Sequence, residues 1–230
     1  MIHSGKWNWS AMLFSLSVSV KLIPLIFLPV YIQKLGWKKS TGYYGIIGLI
    51  SVLLFIPFYS QEFAEKFLAT IGLWFQNFEF NASLYYIARE IGYTFRGWNE
   101  IAIIGSYIPG IVLVFVLLMS IFRKNKTTLA LISAMLLVLS FYFFTSTTVH
   151  PWYIATLLAL SVFTKYKFPL VWSFMIMLSY LTYQNSDFNE NMFVIGIEYL
   201  VVYGVLIWEI FYRKNNKALK ASSNHSVPVE

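Results

Sequence analysis

The sequence predicts an all-α, polytopic transmembrane helix bundle of about seven spans, with the N-terminus outside and the C-terminus inside. Three observations carry that prediction. Of the 230 residues, 58% are apolar or aromatic and only 12% are charged, about half the charged share of a soluble domain. So few charges cannot cover a water-facing surface, and so apolar a chain does not stay disordered. Seven apolar segments approach the roughly 20 helical residues that cross a hydrocarbon core of about 30 Å. Finally, most of the 17 lysines and arginines fall on alternate connections, as the positive-inside rule requires of cytoplasmic loops. The net charge of +7 is thereby assigned to topology, and no nucleic-acid partner is called for. The absence of cysteine excludes a disulfide scaffold, a thiolate metal site and a cysteine nucleophile.

In chain order the segments are Met12–Tyr31, Tyr43–Ser60, Ile101–Phe122, Thr128–Phe144, Trp152–Thr164, Phe168–Tyr183 and Met192–Tyr212. They form a single transmembrane domain over 1–212, followed by a polar cytoplasmic tail, 213–230, whose composition predicts disorder. The first segment alternates apolar and polar residues from Phe14 to Lys21 as a strand would. A lone strand in lipid leaves its backbone unpaired, so helix is expected, bent at Pro24 and Pro29. No signal-peptide pattern precedes it, and so short a leader before an outward N-terminus reads as the later part of a longer chain. Lys21, Glu198 and Glu209 are the charges inside spans. An intramembrane charge is a functional candidate unless, like a long lysine, it snorkels to the interface.

The basic connections hold Lys34, Lys38 and Lys39; Arg123, Lys124 and Lys126; and Lys165 and Lys167, with Arg213, Lys214, Lys217 and Lys220 after the last span. The other connections, 61–100, 145–151 and 184–191, carry Glu62, Glu65, Glu79, Glu90, Glu100, Asp187 and Glu190. These face outward. The first is about 40 residues long, a length that marks functional or disordered loops. Its pattern is not that of disorder. Phe63, Phe67, Leu68, Ile71, Trp74 and Phe75 follow helical spacing, predicting an amphipathic helix over Glu62–Phe75 along the outer interface. A second helix is expected to open with Asn81 as N-cap and to align Leu84, Ile87, Ala88 and Ile91 on one face. The loop serves either as a passive aromatic belt or as a binding surface. Arg89 with Glu90 forms a solvated ion pair, or else Arg89 or Arg96 grips a phosphate through its planar fork. Glu79, flanked by aromatics, is the best-placed carboxylate for acid–base or cation duty.

Thr145-Ser146-Thr147-Thr148-Val149-His150-Pro151-Trp152-Tyr153 is the sharpest string. Four hydroxyl side chains lead into the one histidine outside the termini. Lys165 follows after about 21 Å of helix, less than the membrane core, so this turn should dip below the outer surface against protein or water. Hydroxyls and imidazole beside Trp152 and Tyr153 suit a sugar or headgroup. The same string also describes an interfacial turn with Pro151 at its first helical position. Asn8-Trp9-Ser10 and Asn81-Ala82-Ser83 are N-glycosylation triplets on the outward side. No phosphate-loop, dinucleotide, zincin or serine-hydrolase motif occurs.

Three strings together resemble a known family. Ser17-Val18-Ser19-Val20-Lys21-Leu22-Ile23-Pro24 is similar to the lysine–proline helix of bacterial GT-C glycosyltransferases. Phe80-Asn81-Ala82-Ser83-Leu84-Tyr85-Tyr86 and Val149-His150-Pro151-Trp152-Tyr153 resemble later outer-loop segments of mannosyltransferase-like members. The resemblance implies an integral membrane enzyme of the bacterial plasma membrane, acting on its outer face. It would pass a sugar from a polyprenyl-phosphate donor to a lipid or glycan acceptor. Arg89, Arg96 or Lys21 would neutralise donor phosphate, His150, Trp152 and Tyr153 would shape the sugar pocket, and Glu79 and Asn81 would line it. The family's acidic first outer loop has no counterpart here, so its general base would lie upstream, lie in a partner membrane subunit, or be missing. A divalent cation is the one cofactor left open. A secondary transporter or flippase, and a non-catalytic scaffold subunit, are the competing readings; a transporter would usually show internal repeats, and none is present.

Overall fold

The computed structural model describes residues 4–184 and 189–223. Among these, all regular structure is helical, with one isolated parallel bridge between Phe80 and Thr148. Four helices are long and apolar enough to cross a membrane: Trp37–Phe58, Ile101–Phe122, Thr128–Thr145 and Met192–Phe211. Where one domain is expected through Tyr212, the chain divides into two compact units, Met1–Val149 and His150–Glu230.

The first unit opens with α1 (Trp7–Val20). The serines that make its sequence look strand-like turn onto the helix, Ser15 Oγ donating to the Ala11 carbonyl and Ser19 Oγ to that of Ser15. The expected single helix Met12–Tyr31 is not found. The backbone becomes extended at Lys21 (φ −155°, ψ 131°), then a 3-10 turn, Ile23–Phe27, leads into α2 (Leu28–Leu35). Both prolines stand in the first turn of their segments, where a missing N–H and a fixed φ cost nothing. They start elements; they do not bend one.

A glycine with positive φ, Gly36, turns the chain into α3 (Trp37–Phe55), which a 3-10 turn, Ile56–Phe58, extends. The contacts of α1 and α3 advance together. Trp7 lies against Gly42, Ser10 Oγ is 3.3 Å from Tyr43 Oη, Phe14 packs on Tyr43, and Val18 and Ile47 share the same core. These helices therefore run parallel. α2 runs back alongside α3, Tyr31 stacking on Tyr43 and the Leu28 carbonyl accepting from Tyr44 Oη at 2.6 Å. The first span is thus a helical hairpin with Lys21 at its tip, and the chain enters α1 at the end where Lys34, Lys38 and Lys39 lie.

After α4 (Gln61–Gln76) and α5 (Leu84–Arg96) come α6 (Ile101–Phe122) and α7 (Thr128–Thr145). The last two form an antiparallel pair, with Phe115 and Phe141 stacked at 4.0 Å. Their connection holds Arg123, Lys124 and Lys126. It is tied to α2 by Gln33, whose amide donates to the Ser120 and Ile121 carbonyls and accepts from Asn125 N–H at 2.8 Å. Ser120 Oγ donates to the Pro29 carbonyl. Two basic connections thereby meet at one end of this unit. Some 33 Å of α6 separates them from Glu100.

In the second unit a 3-10 turn, Pro151–Tyr153, precedes α8 (Ile154–Val162). Together they span about 20 Å, as short as the sequence predicts. α9 (Phe168–Met175) continues as a 3-10 stretch, Ile176–Gln184. The looser rise of the latter brings the pair to about 30 Å. α10 (Met192–Ser223) runs past Tyr212 into the segment predicted as a disordered tail. Positions 224–230 and Asp187 lie outside the described residues. Both charges in the last span are placed. Glu198 is fully buried and accepts from Trp172 Nε1 at 3.1 Å. Glu209 accepts from the backbone N–H groups of Lys167 (2.7 Å) and Phe168 (3.3 Å), an acceptor for two otherwise unmatched donors at the start of α9.

A Cβ added at Gly42 would meet the Trp7 ring at 3.1 Å, whereas one at Gly45 meets nothing within 4 Å. Gly42→Leu is therefore expected to destabilise the α1–α3 pair by about 1–3 kcal/mol and Gly45→Leu by less than about 0.5 kcal/mol. Thermal unfolding in detergent separates the two, and equal losses would remove the parallel α1–α3 contact from the description.

Candidate functional site

The long connection folds as two helices with an anchored link between them. α4 starts one residue before its predicted limit and is capped by Ser60 Oγ, which accepts from Phe63 N–H at 3.0 Å. Phe63 and Phe67 stack on its surface, and protein leaves both, with Leu68, open. The predicted contacts of Ile71, Trp74 and Phe75 lie outside the described side chains. The link 77–83 is held by the end of α7. Phe80 N–H donates to the Thr147 carbonyl (3.0 Å), Val149 N–H donates to the Phe80 carbonyl (2.8 Å), and Thr148 Oγ1 donates to the Phe78 carbonyl (3.0 Å).

This use of the hydroxyl string differs from its expected role in reading a sugar. Thr145 and Ser146 donate back to carbonyls in the last turn of α7, and Thr148 fixes the link. At least three of the four hydroxyls are thus committed to backbone, where they satisfy carbonyls that the end of α7 and the link would leave unmatched.

Asn81 is not the N-cap. Ser83 holds that position, without a side-chain cap bond, while Asn81 is fully buried in a left-handed turn at φ 46°. Asparagine is among the few residues that tolerate this conformation. Burial places the Asn81 side chain inside the protein, whereas a glycan acceptor needs an exposed amide. The expected apolar face of α5 exists, and it is turned away from the protein. Leu84, Ile87 and Ile91 are exposed, and Tyr85 and Tyr86 are buried.

On the inward face the link and α5 build a polar network. Arg89 Nη1 donates to Glu79 Oε1 at 2.6 Å and Nη2 to Glu90 Oε1 at 3.0 Å. Asn99, just before α6, donates through Nδ2 to Glu79 Oε2 at 3.1 Å. Tyr85 Oη lies 2.5 Å from Glu79 Oε2 and 3.0 Å from Asn99 Oδ1. Its single proton goes to the nearer, charged acceptor. The Arg89 guanidinium sits 4.4 Å over the Tyr86 ring, a cation–π contact. Burial, reinforced by the adjoining Glu79 carboxylate, pushes the Tyr85 phenol above the usual tyrosine range. Burial also opposes the Arg89 cation, but the Glu79 charge and the bonds to both carboxylates outweigh it and raise its pKa.

Arg89 is therefore more than a solvated pair, and its fork is engaged by protein carboxylates, not open for phosphate. Arg96 is different. Its side chain is 63% exposed, and its Nε lies 3.6 Å from Glu100. Tyr85 and Asn99 escaped the sequence reading. Tyr85 reads as helix face, and nothing in local spacing links Asn99 to a carboxylate 20 residues earlier. Lys21, at the exposed hairpin tip, lies within the first unit but makes none of these bonds.

In the second unit His150 is buried, its ring stacked 4.4 Å from Trp152 at 11° and edge-on to Tyr153 at 5.4 Å. Trp152 keeps 59% exposure while its indole stacks on the imidazole. This unit also holds a cavity of about 210 Å³, whose lining among the described residues is neutral and includes Ser179, Thr182, Asn191 and Ile195. Among the described residues, no group of three or more histidine, aspartate or glutamate side chains converges to hold a metal ion. Comparisons with protein-family models, with curated proteins and with solved structures give no match to this chain.

The Glu79–Arg89 pair is mostly buried, with side-chain exposures of 27% and 12%. A double-mutant cycle of Glu79→Ala and Arg89→Ala is expected to return a coupling of about 1–3 kcal/mol. Each single change should loosen the link as well, seen as faster amide exchange at Phe80 and Val149. Strict additivity would demote the pair to a surface contact.

Proposed function

We propose that this chain is an integral membrane protein of the glycosyl-transferring type, taking a sugar from a polyprenyl-phosphate donor to a lipid or glycan acceptor on the extracytoplasmic face of a bacterial plasma membrane. The observation that supports this most is the separation of polar groups along α6. Lysines and arginines gather at one end. A carboxylate, a guanidinium, an amide and two phenols gather at the other, at the depth where a lipid-linked sugar presents its phosphate and hydroxyls. Arg96, the more exposed arginine, is the candidate phosphate partner. Separately, within the second unit, the exposed Trp152 ring stacked on His150 is a candidate sugar-stacking surface. The apolar crossings would accommodate the polyprenyl chain.

The topology proposed with it differs from an outward N-terminus. A hairpin in place of the first span returns the chain to the side it came from, so the N-terminus shares the cytoplasmic side with Lys34–Lys39, Arg123–Lys126 and Lys165–Lys167. The remaining crossings are then α3, α6, α7, α8, α9 with its 3-10 extension, and α10, an even number that leaves the C-terminus inside. The native sequence has no cysteine, so single cysteines report cleanly. Lys6→Cys and Lys38→Cys should react with an impermeant maleimide only from the cytoplasmic side, and Glu90→Cys only from the other. Labelling of Lys6→Cys alongside Glu90→Cys would restore the outward N-terminus.

For the activity, native membranes carrying the full chain should transfer label from a tritiated polyprenyl-phosphate hexose to lipid or glycan acceptor above membranes that lack it. Arg96→Ala and His150→Ala should each lower transfer by at least about tenfold, or roughly 1.4 kcal/mol of transition-state stabilisation, with unfolding temperature unchanged. No turnover by the native chain, with solute uptake in proteoliposomes, would replace this reading by transport.

A further inference from the structure

We infer that the outward face of α5 is a membrane-docking surface, with Leu84, Ile87, Ile91 and Phe95 resting in the acyl–headgroup boundary of the leaflet opposite the basic connections. The four residues recur at i, i+3, i+7 and i+11, a single stripe on an α-helix. All four are exposed, Phe95 to 82%. Every charge on α5 (Arg89, Glu90 and Arg96) lies off the stripe, and the network of Glu79, Tyr85 and Asn99 occupies the other side. This is the division of an interfacial helix.

Lipid is the occupant that the surroundings select. α5 is tethered by Gly97–Glu100, a left-handed glycine and three residues, to the first turn of α6, a helix of crossing length. Its inward face packs on α6 and α7 at that same end, so α5 cannot leave the depth at which these helices meet the headgroups. The stripe is also continuous in kind with exposed Ile103 and Tyr107 in the first turns of α6. Trp98, exposed where the helix ends, has the composition of an aromatic membrane belt. None of this depends on glycosyl transfer, and the placement stands or falls separately from it.

The test uses single-cysteine variants of the full chain, spin-labelled and reconstituted in phosphatidylethanolamine–phosphatidylglycerol vesicles. Collision with dissolved oxygen is compared with collision with a water-soluble nickel chelate. Labels at Leu84→Cys, Ile87→Cys and Ile91→Cys should favour oxygen severalfold, while Glu90→Cys and Arg96→Cys favour nickel. Nickel dominance at all five positions would place α5 in water. Dipolar broadening between labels of neighbouring copies at Ile87→Cys and Ile91→Cys would place a second chain on the stripe. Either result overturns the inference, and neither bears on turnover of a polyprenyl-phosphate sugar.

Discussion

Where a helix ends or breaks inside lipid, its unmatched N–H and C=O groups must find partners within the chain, and this constraint organises both units. Gln33 closes the end of α6 and receives the Asn125 amide. Tyr44 and Ser120 reach carbonyls in the first turn of α2. Thr148 and the Phe80 backbone complete the end of α7. Glu209 supplies acceptors at the start of α9. These are long-range bonds from side chains to backbone, and each fixes which element ends lie at the same level. Removing one partner would leave a buried polar group costing about 1–3 kcal/mol, so the connections are bound as tightly as the helices they join.

The hairpin of α1 and α2 follows from the same constraint. A chain that becomes extended at Lys21 inside lipid exposes backbone groups. The 3-10 turn immediately afterwards restores pairing within two residues, and α2 then lies in the groove beside α3 and against α6. The reversal changes the parity of the topology without moving any other element. Charge distribution on the remaining connections is indifferent to it, since Lys34, Lys38 and Lys39 fall at the same end in either case. Lys6, next to α1, joins them only when the hairpin is present.

What could be read in the sequence was local or periodic. The limits of Ile101–Phe122 are recovered to the residue, the short helix after Pro151 follows from the interval to Lys165, and the two helices of the long connection follow from apolar spacing, the second without its expected cap. The break at Lys21 was hidden because Pro24 and Pro29 are the visible helix breakers nearby, and both sit where proline is favourable. The network around Glu79 was legible only in part. Glu79 is legible as a carboxylate among aromatics and Arg89 as a partner of Glu90 or of phosphate, but their pairing with each other goes with the buried left-handed turn at Asn81 that lies between them. Asn99 became part of the site through the approach of α6, a tertiary event with no signature in spacing. At least three of the hydroxyls before His150 donate to backbone carbonyls, a choice of partner that composition does not report, since it gives hydrogen-bonding capacity but not which acceptor takes it.

The orientation of α5 ties these levels together. On a helix the residues at i and i+1 are about 100° apart, so placing Tyr85 against Glu79 necessarily turns Leu84 away from it. Arg89 follows Tyr85 by four residues and Ile91 follows Leu84 by seven, which keeps the two stripes separate along the whole helix. A rotation that buried the apolar stripe within the protein would draw Arg89 off Glu79 and bring Ile87 to an ionised carboxylate, losing a charge-assisted bond and desolvating an anion without compensation. The polar network therefore selects which face of α5 is presented outward, and an apolar surface in contact with lipid in turn resists the rotation that would break the network. Neither arrangement is specified by α5 alone. Their agreement holds a carboxylate and a guanidinium together at the boundary of the membrane.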